Sequence, residues 1–285
     1  MEKVSQKNLT IMSIIAILIG LIMITIIPFM VQTSLERVLR GLTDHIQAGN
    51  PTFASGVPLF DFFYPVWRAI IFVAGITLIV VSQEIRKGAE WIYPLAVSMF
   101  ALPAIGGMFM FLPYVSWVEG FPLPMLISLT GLVGYVSFIL LPKATLMEKL
   151  SRLGALVFIG MLATHAFTLG IGAQRTMATR PGYPFYKDFT WWLFNWVGEV
   201  NWVAVILLFL SIPLLVVGKR RGWWLALIGS IAILAINIPT QIFRTKTLDY
   251  LYGALLAIGV LVFLLVPFFK QHLLAGETIA PGETG

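Results

Sequence analysis

The chain has 285 residues, 59% of them apolar and 11% charged, with a mean hydropathy of +0.91. A soluble globular domain carries about 25% charged residues, so this composition excludes a water-soluble fold. Cysteine is absent, which excludes thiolate catalysis, Cys-held zinc or iron–sulfur centres, c-type haem attachment and disulfides. The formal charge of +6 lies between apolar blocks rather than along one soluble face, so it orients helices and does not mark a nucleic-acid partner.

The apolar residues fall into blocks of about twenty, the length that crosses a bilayer as a helix. Eight such spans are expected: Leu9 to Val31, Tyr64 to Val81, Trp91 to Leu112, Pro124 to Leu141, Leu153 to Gly172, Trp192 to Val217, Trp223 to Ile242 and Leu251 to Phe269. Lipid offers no partner to free backbone groups, so the fold class is an all-α polytopic membrane helix bundle, a single domain over residues 1–273. No A-x-A cleavage site follows the first span before Pro51, which is therefore read as an uncleaved helix rather than a signal peptide.

Lys and Arg concentrate in three short connections: Arg86 and Lys87; Lys143, Lys149 and Arg152; and Lys219, Arg220 and Arg221. With Lys3, Lys7 and Lys270 they place both termini in the cytoplasm of a plasma or inner membrane. The first outer connection opens with Leu35, Val38, Leu39, Leu42 and Ile46 at helical spacing, an amphipathic interfacial helix over 34–48. Thr33 and Glu36 have the spacing of its capping box, and Gly49 is placed to end it. His45 on its polar face has no other ligand-type residue at metal-binding spacing and is read as solvated. Asp61 and Arg68, seven residues apart, share a helix face and are expected to pair.

Spans three to five are rich in small residues (Ala101, Ala104, Gly107, Gly131, Gly134 and Gly160 among them), read as close helix packing. Span seven ends with Pro239 among Asn237, Thr240 and Gln241, a kinked polar helix end. A second outer connection over 173–191 is dense in Arg, Tyr and Pro, and the polar tail over 274–285 is expected to be disordered.

The two halves echo each other faintly. Each has four spans, an aspartate with aromatics before its second span (Asp61-Phe62-Phe63-Tyr64; Asp188-Phe189-Thr190-Trp191) and a basic turn followed by Trp. Any polytopic chain shows such belts and turns, so the echo is read as coincidence. A true parallel duplication would place a site between the halves.

Ionisable residues inside the membrane are costly, and each is a functional candidate. His165 is the only histidine within a span. Together with Glu199, Asn201, Asn237, Arg244 and Arg68 it forms the candidate substrate-binding set, on the outer side between spans five, six and seven. A haem with two axial histidines would need a second buried histidine, which is absent; the cofactor is unknown, with a single-ligand haem and a pigment left open. No H-E-x-x-H, G-x-S-x-G or P-loop is present, nor any lysine within a span for a Schiff base. The leading expectation is a non-catalytic accessory subunit of a membrane complex or a binding module, with lipids and other membrane subunits as partners. A small-solute transporter is the alternative, and a lipid- or quinone-modifying enzyme comes third.

Overall fold

The computed structural model describes residues 4–180, 182–183, 185 and 188–274. Lys3, Lys187 and the tail from 275 onwards lie outside the described residues. The described chain is helical: α1 (Gln6–Thr25), α2 (Ile27–Gln47), a 3-10 turn (Pro51–Phe53), α3 (Gly56–Val80), α4 (Ser82–Lys87), α5 (Ile92–Trp117), α6 (Leu123–Leu140), α7 (Leu146–Ala178), α8 (Phe189–Val216), α9 (Arg220–Phe243), α10 (Asp249–Leu265) and α11 (Pro267–Leu273). Seven helices are long and apolar enough to cross a membrane; an eighth crossing exists only if α10 and α11 are taken together. Large side chains such as Val73 and Val80 on α3, Val133 on α6 and Val203 and Ile206 on α8 face outwards. Such continuous exposed apolar faces require lipid as their solvent.

Several expected boundaries move, each for a local reason. The first span is split at Ile26, where Pro28 at the start of α2 has no N–H to continue the ladder of α1. Residues 27–31 therefore begin the amphipathic helix, and Thr33 lies inside it rather than capping it. That helix buries Ile27, Val31, Ser34, Leu35, Val38 and Leu42 against α3, α5 and α6. It ends as expected before Gly49, which adopts a φ of 92°. His45 is not simply solvated: its ring stacks on Phe53, with centroids 4.7 Å apart.

The expected eighth span breaks at Val266, held extended before Pro267, and α11 turns 74° away from α10. The 17 residues of α10 reach about 25 Å at 1.5 Å per residue, slightly short of a hydrocarbon core of about 30 Å. α7 is longer than hydropathy implies, and the connection expected over 173–191 shrinks because residues 173–178 belong to α7 and 189–191 to α8. The extra turns at the start of α7 come from a capping box: the Thr145 hydroxyl accepts from Glu148 N and the Glu148 carboxylate accepts from Thr145 N, each at 3.2 Å. Thr145→Ala is expected to lower stability by about 1 kcal/mol, read from thermal unfolding in detergent.

The basic connections gather at one end. Gln6 Nε2 donates to Arg86 O, Asn8 Nδ2 to Leu141 O at 2.8 Å and Lys149 Nζ to Leu140 O at 2.7 Å. We call this the basic end and the opposite one the loop end. Between the ends each half closes as a ring of four long helices: α1, α3, α5 and α6 in the first, α7, α8, α9 and α10 in the second. The aspartate echo does not survive, since Asp188 N-caps α8 through Trp191 N at 3.0 Å whereas Asp61 lies inside α3. The cyclic order of the two rings is nevertheless the same.

Small residues set how closely the helices approach. Gly20 and Gly75 face each other where α1 crosses α3: a β-carbon on Gly20 would lie 2.8 Å from Gly75 O, and one on Gly75 would lie 2.9 Å from Gly20 O. α5 and α6 meet through Ala104, Gly107, Ser128 and Gly131, with Ser128 Oγ donating to Ala104 O at 2.8 Å. The halves meet along α5 and α6 against α7 and α8. One glycine read as packing is not: a β-carbon on Gly160 would find only Ile105, at 3.8 Å.

Candidate functional site

That open space belongs to a cavity of about 380 Å³ between the two halves, inside the range of about 300–1,000 Å³ typical of ligand pockets. Its walls come from α5 (Ala101, Ala104, Met108), α6 (Ser128, Tyr135), α7 (Gly160, Met161, His165), Ile212 of α8 and Leu256 of α10. It is a slot, because its wall on α5 runs from Ala101 to Leu112, which at 1.5 Å per residue is about 16 Å along the helix. Met108 and Met161, both exposed, stand at its lipid side. Small side chains facing each other across the half-interface leave the space, whereas the same residue types elsewhere on α5 and α6 close it.

Four lining residues are polar. The Ser128 hydroxyl donates to Ala104 O, and the Thr164 hydroxyl to Gly160 O at 3.0 Å, so both donors are committed within the backbone. Tyr135 is buried, and its hydroxyl has no hydrogen-bond partner. His165 Nε2 lies 2.8 Å from the carbonyl oxygen of Asp249, the first residue of α10. A carbonyl only accepts, so Nε2 carries a proton, and in the neutral form of the ring the lone pair is on Nδ1. His165 thus sits level with the loop-end terminus of α10. Tyr135, five residues before the end of α6, lies toward the basic end.

Of the residues expected to form one site, three come together. Asn201 Nδ2 donates to Asn237 Oδ1 at 3.0 Å, both side chains being fully buried between α8 and α9. Asn237 and His165 flank Gly253 of α10: a β-carbon there would collide with Asn237 Nδ2 and come within 3.2 Å of His165 Cδ2. Asn201 Oδ1 and Asn237 Nδ2 have no partner among the described residues, and Asn237 Nδ2 packs directly against Gly253. A double-mutant cycle of Asn201→Ala and Asn237→Ala is expected to return a coupling of about 0.6 kcal/mol, the average for interhelical hydrogen bonds in membranes, measured by unfolding in detergent.

The other three lie elsewhere. Glu199 is on the exposed face of α8, where Asn195 Nδ2 donates to its carboxylate at 2.5 Å. Buried Asn201 is two positions further along the helix, about 200° around its axis, so Glu199 points to the opposite side. Arg68 donates to Gln32 Oε1 on α2 at 2.5 Å, and that bond replaces the expected pairing with Asp61. Arg244 closes α9 with its guanidinium 4.6 Å above the Phe194 ring. Nearby at the loop end, Arg175 stands over Phe53 and Arg180 over Trp191, at 5.6 and 5.7 Å. The loop end is thus held by cations on aromatic faces.

The sequence reading missed the slot itself, and Tyr135 and Gly160 with it. A polar aromatic deep in α6 was a readable signal for Tyr135. For Gly160 there was none, because a glycine that packs and one that lines a void look alike in sequence. Among the described residues no group of three His, Asp or Glu side chains is placed to hold a metal ion. No family model matches the chain, and no match to it is found among curated proteins or solved structures.

Proposed function

We propose that this protein is a non-catalytic membrane binding module that holds one chain-bearing lipid in the slot between its halves. The slot carries the reading: it is long, almost wholly apolar, open towards lipid and supplied with only two uncommitted polar side chains, His165 and Tyr135. Ligand sites of this composition bind through apolar burial and orient through a few polar groups. An alkyl chain in the slot gains little over lipid from burial alone, because lipid is equally apolar; selectivity then comes from shape and from those two groups.

A transport path through His165 and Glu199 is disfavoured by the opposed directions of Glu199 and Asn201 on α8. The gathering of the basic turns at one end supports a cytoplasmic placement of that end and of both termini. The test is a lipid extract and absorbance spectrum of the protein purified in mild detergent. We expect one chain-bearing lipid at about one per protein, enriched over the bulk membrane. An extract with the composition of the bulk membrane would remove the reading. A membrane protein that co-purifies in place of a lipid would move the assignment to an accessory subunit.

A further inference from the structure

Resting on that reading of the slot, we infer that its ligand is a hydroxyl-headed lipid, an alcohol or phenol on a long apolar chain, whose O–H donates to Nδ1 of His165. The argument is one of elimination among the polar groups that line the slot. Ser128 and Thr164 have given their protons to backbone carbonyls and offer a ligand only hydroxyl lone pairs, weaker acceptors than an imidazole nitrogen. His165 has given its Nε2 proton to Asp249 O, and no hydrogen bond among the described residues takes its Nδ1 lone pair. Nδ1 is accessible rather than enclosed by protein, so a molecule in the slot can reach it, and a ligand O–H would satisfy an acceptor that otherwise faces apolar surroundings. An ester or ether head has only acceptors, would face the Nδ1 lone pair with its own, and is rejected for that reason.

The position of His165 fixes which way the ligand lies. The imidazole is level with the first residue of α10, where the bundle reaches polar loop-end residues such as Asp249 and Arg244. From there the slot runs past Gly160 and Leu156 towards Tyr135. A hydroxyl head at His165 therefore leaves the chain to run along the membrane normal into the apolar part of the slot, as a lipid of that leaflet does. The Tyr135 hydroxyl, both donor and acceptor, is left for a second polar atom farther along the ligand.

The experiment uses two probes whose head oxygen carries either a hydrogen or a methyl group, 1-tetradecanol and its methyl ether, with occupancy of the purified full-length protein read by native mass spectrometry. The protein is expected to hold the alcohol about two- to tenfold more tightly, the size of one hydrogen bond. His165→Phe keeps a ring of similar size but carries no acceptor, and should bring the ratio to about one; continued binding of the methyl ether by the same variant shows that the fold and the slot persist. His45→Gln, at a histidine that does not line the slot, should leave the ratio unchanged. Equal binding of both probes by the unaltered protein overturns the inference and leaves the slot reading standing, as does a preference that survives in His165→Phe. Binding of neither probe overturns the slot reading itself.

Discussion

A Gly160→Phe protein is expected to fold normally and to lose its bound lipid. The β-carbon of the new side chain meets only Ile105, at ordinary contact distance, so the ring extends into the slot and not into a helix. Leaving glycine in mid-helix should itself stabilise α7: Gly160→Ala is expected to raise stability by up to about 1 kcal/mol through helix propensity, with the lipid retained. The pair separates occupancy from folding. The lipid-to-protein ratio should fall severalfold in the Phe variant and stay level in the Ala variant, while the melting temperatures of both match or exceed that of the unaltered protein. Undiminished lipid in Gly160→Phe would show that the bound molecule sits elsewhere.

Gly131→Leu should do the opposite and destroy the bundle. A β-carbon at Gly131 would lie 2.7 Å from the Phe100 carbonyl oxygen and 2.9 Å from Pro103 Cγ, so it meets the backbone of α5 and not a side chain that could turn away. Separating α5 from α6 also breaks the Ser128–Ala104 hydrogen bond that spans them. Gly131→Ala is expected to cost about 2–3 kcal/mol, and the larger leucine to leave no monodisperse protein in size-exclusion chromatography. A well-behaved Gly131→Leu protein would mean that the α5–α6 contact is not the close crossing described. The two glycines are of the same type on neighbouring helices, and their expected effects differ in sign because one faces backbone and the other faces space.

The loop end owes its order to contacts that no short sequence window reveals. Arg68 finds Gln32, 36 residues earlier, in place of Asp61 seven residues away on its own helix. A charged side chain beside a helix rim takes whichever partner tertiary packing brings nearest, and α2 packs directly on α3. His165 likewise finds a backbone carbonyl 84 residues later in the chain. Its role as an interhelical tie between α7 and α10 and its place on the wall of the slot are compatible, because the tie uses Nε2 alone.

The sequence alone determined the membrane class and the helical architecture, because long apolar blocks must satisfy their own backbone in lipid. It also located most spans, the basic turns that gather at one end, and the convergence of His165, Asn201 and Asn237, since buried polar side chains in lipid seek one another. Helix ends it marked less well: hydropathy records where side chains prefer lipid, whereas a helix runs until its hydrogen-bond ladder is capped or broken, as at Thr145, Pro28 and Pro267. Only the tertiary structure decided the direction of Glu199, the partner of Arg68 and the existence of the slot. Each of these is set by which faces of distant helices meet, and a void between them is a property of the fit that no single helix carries.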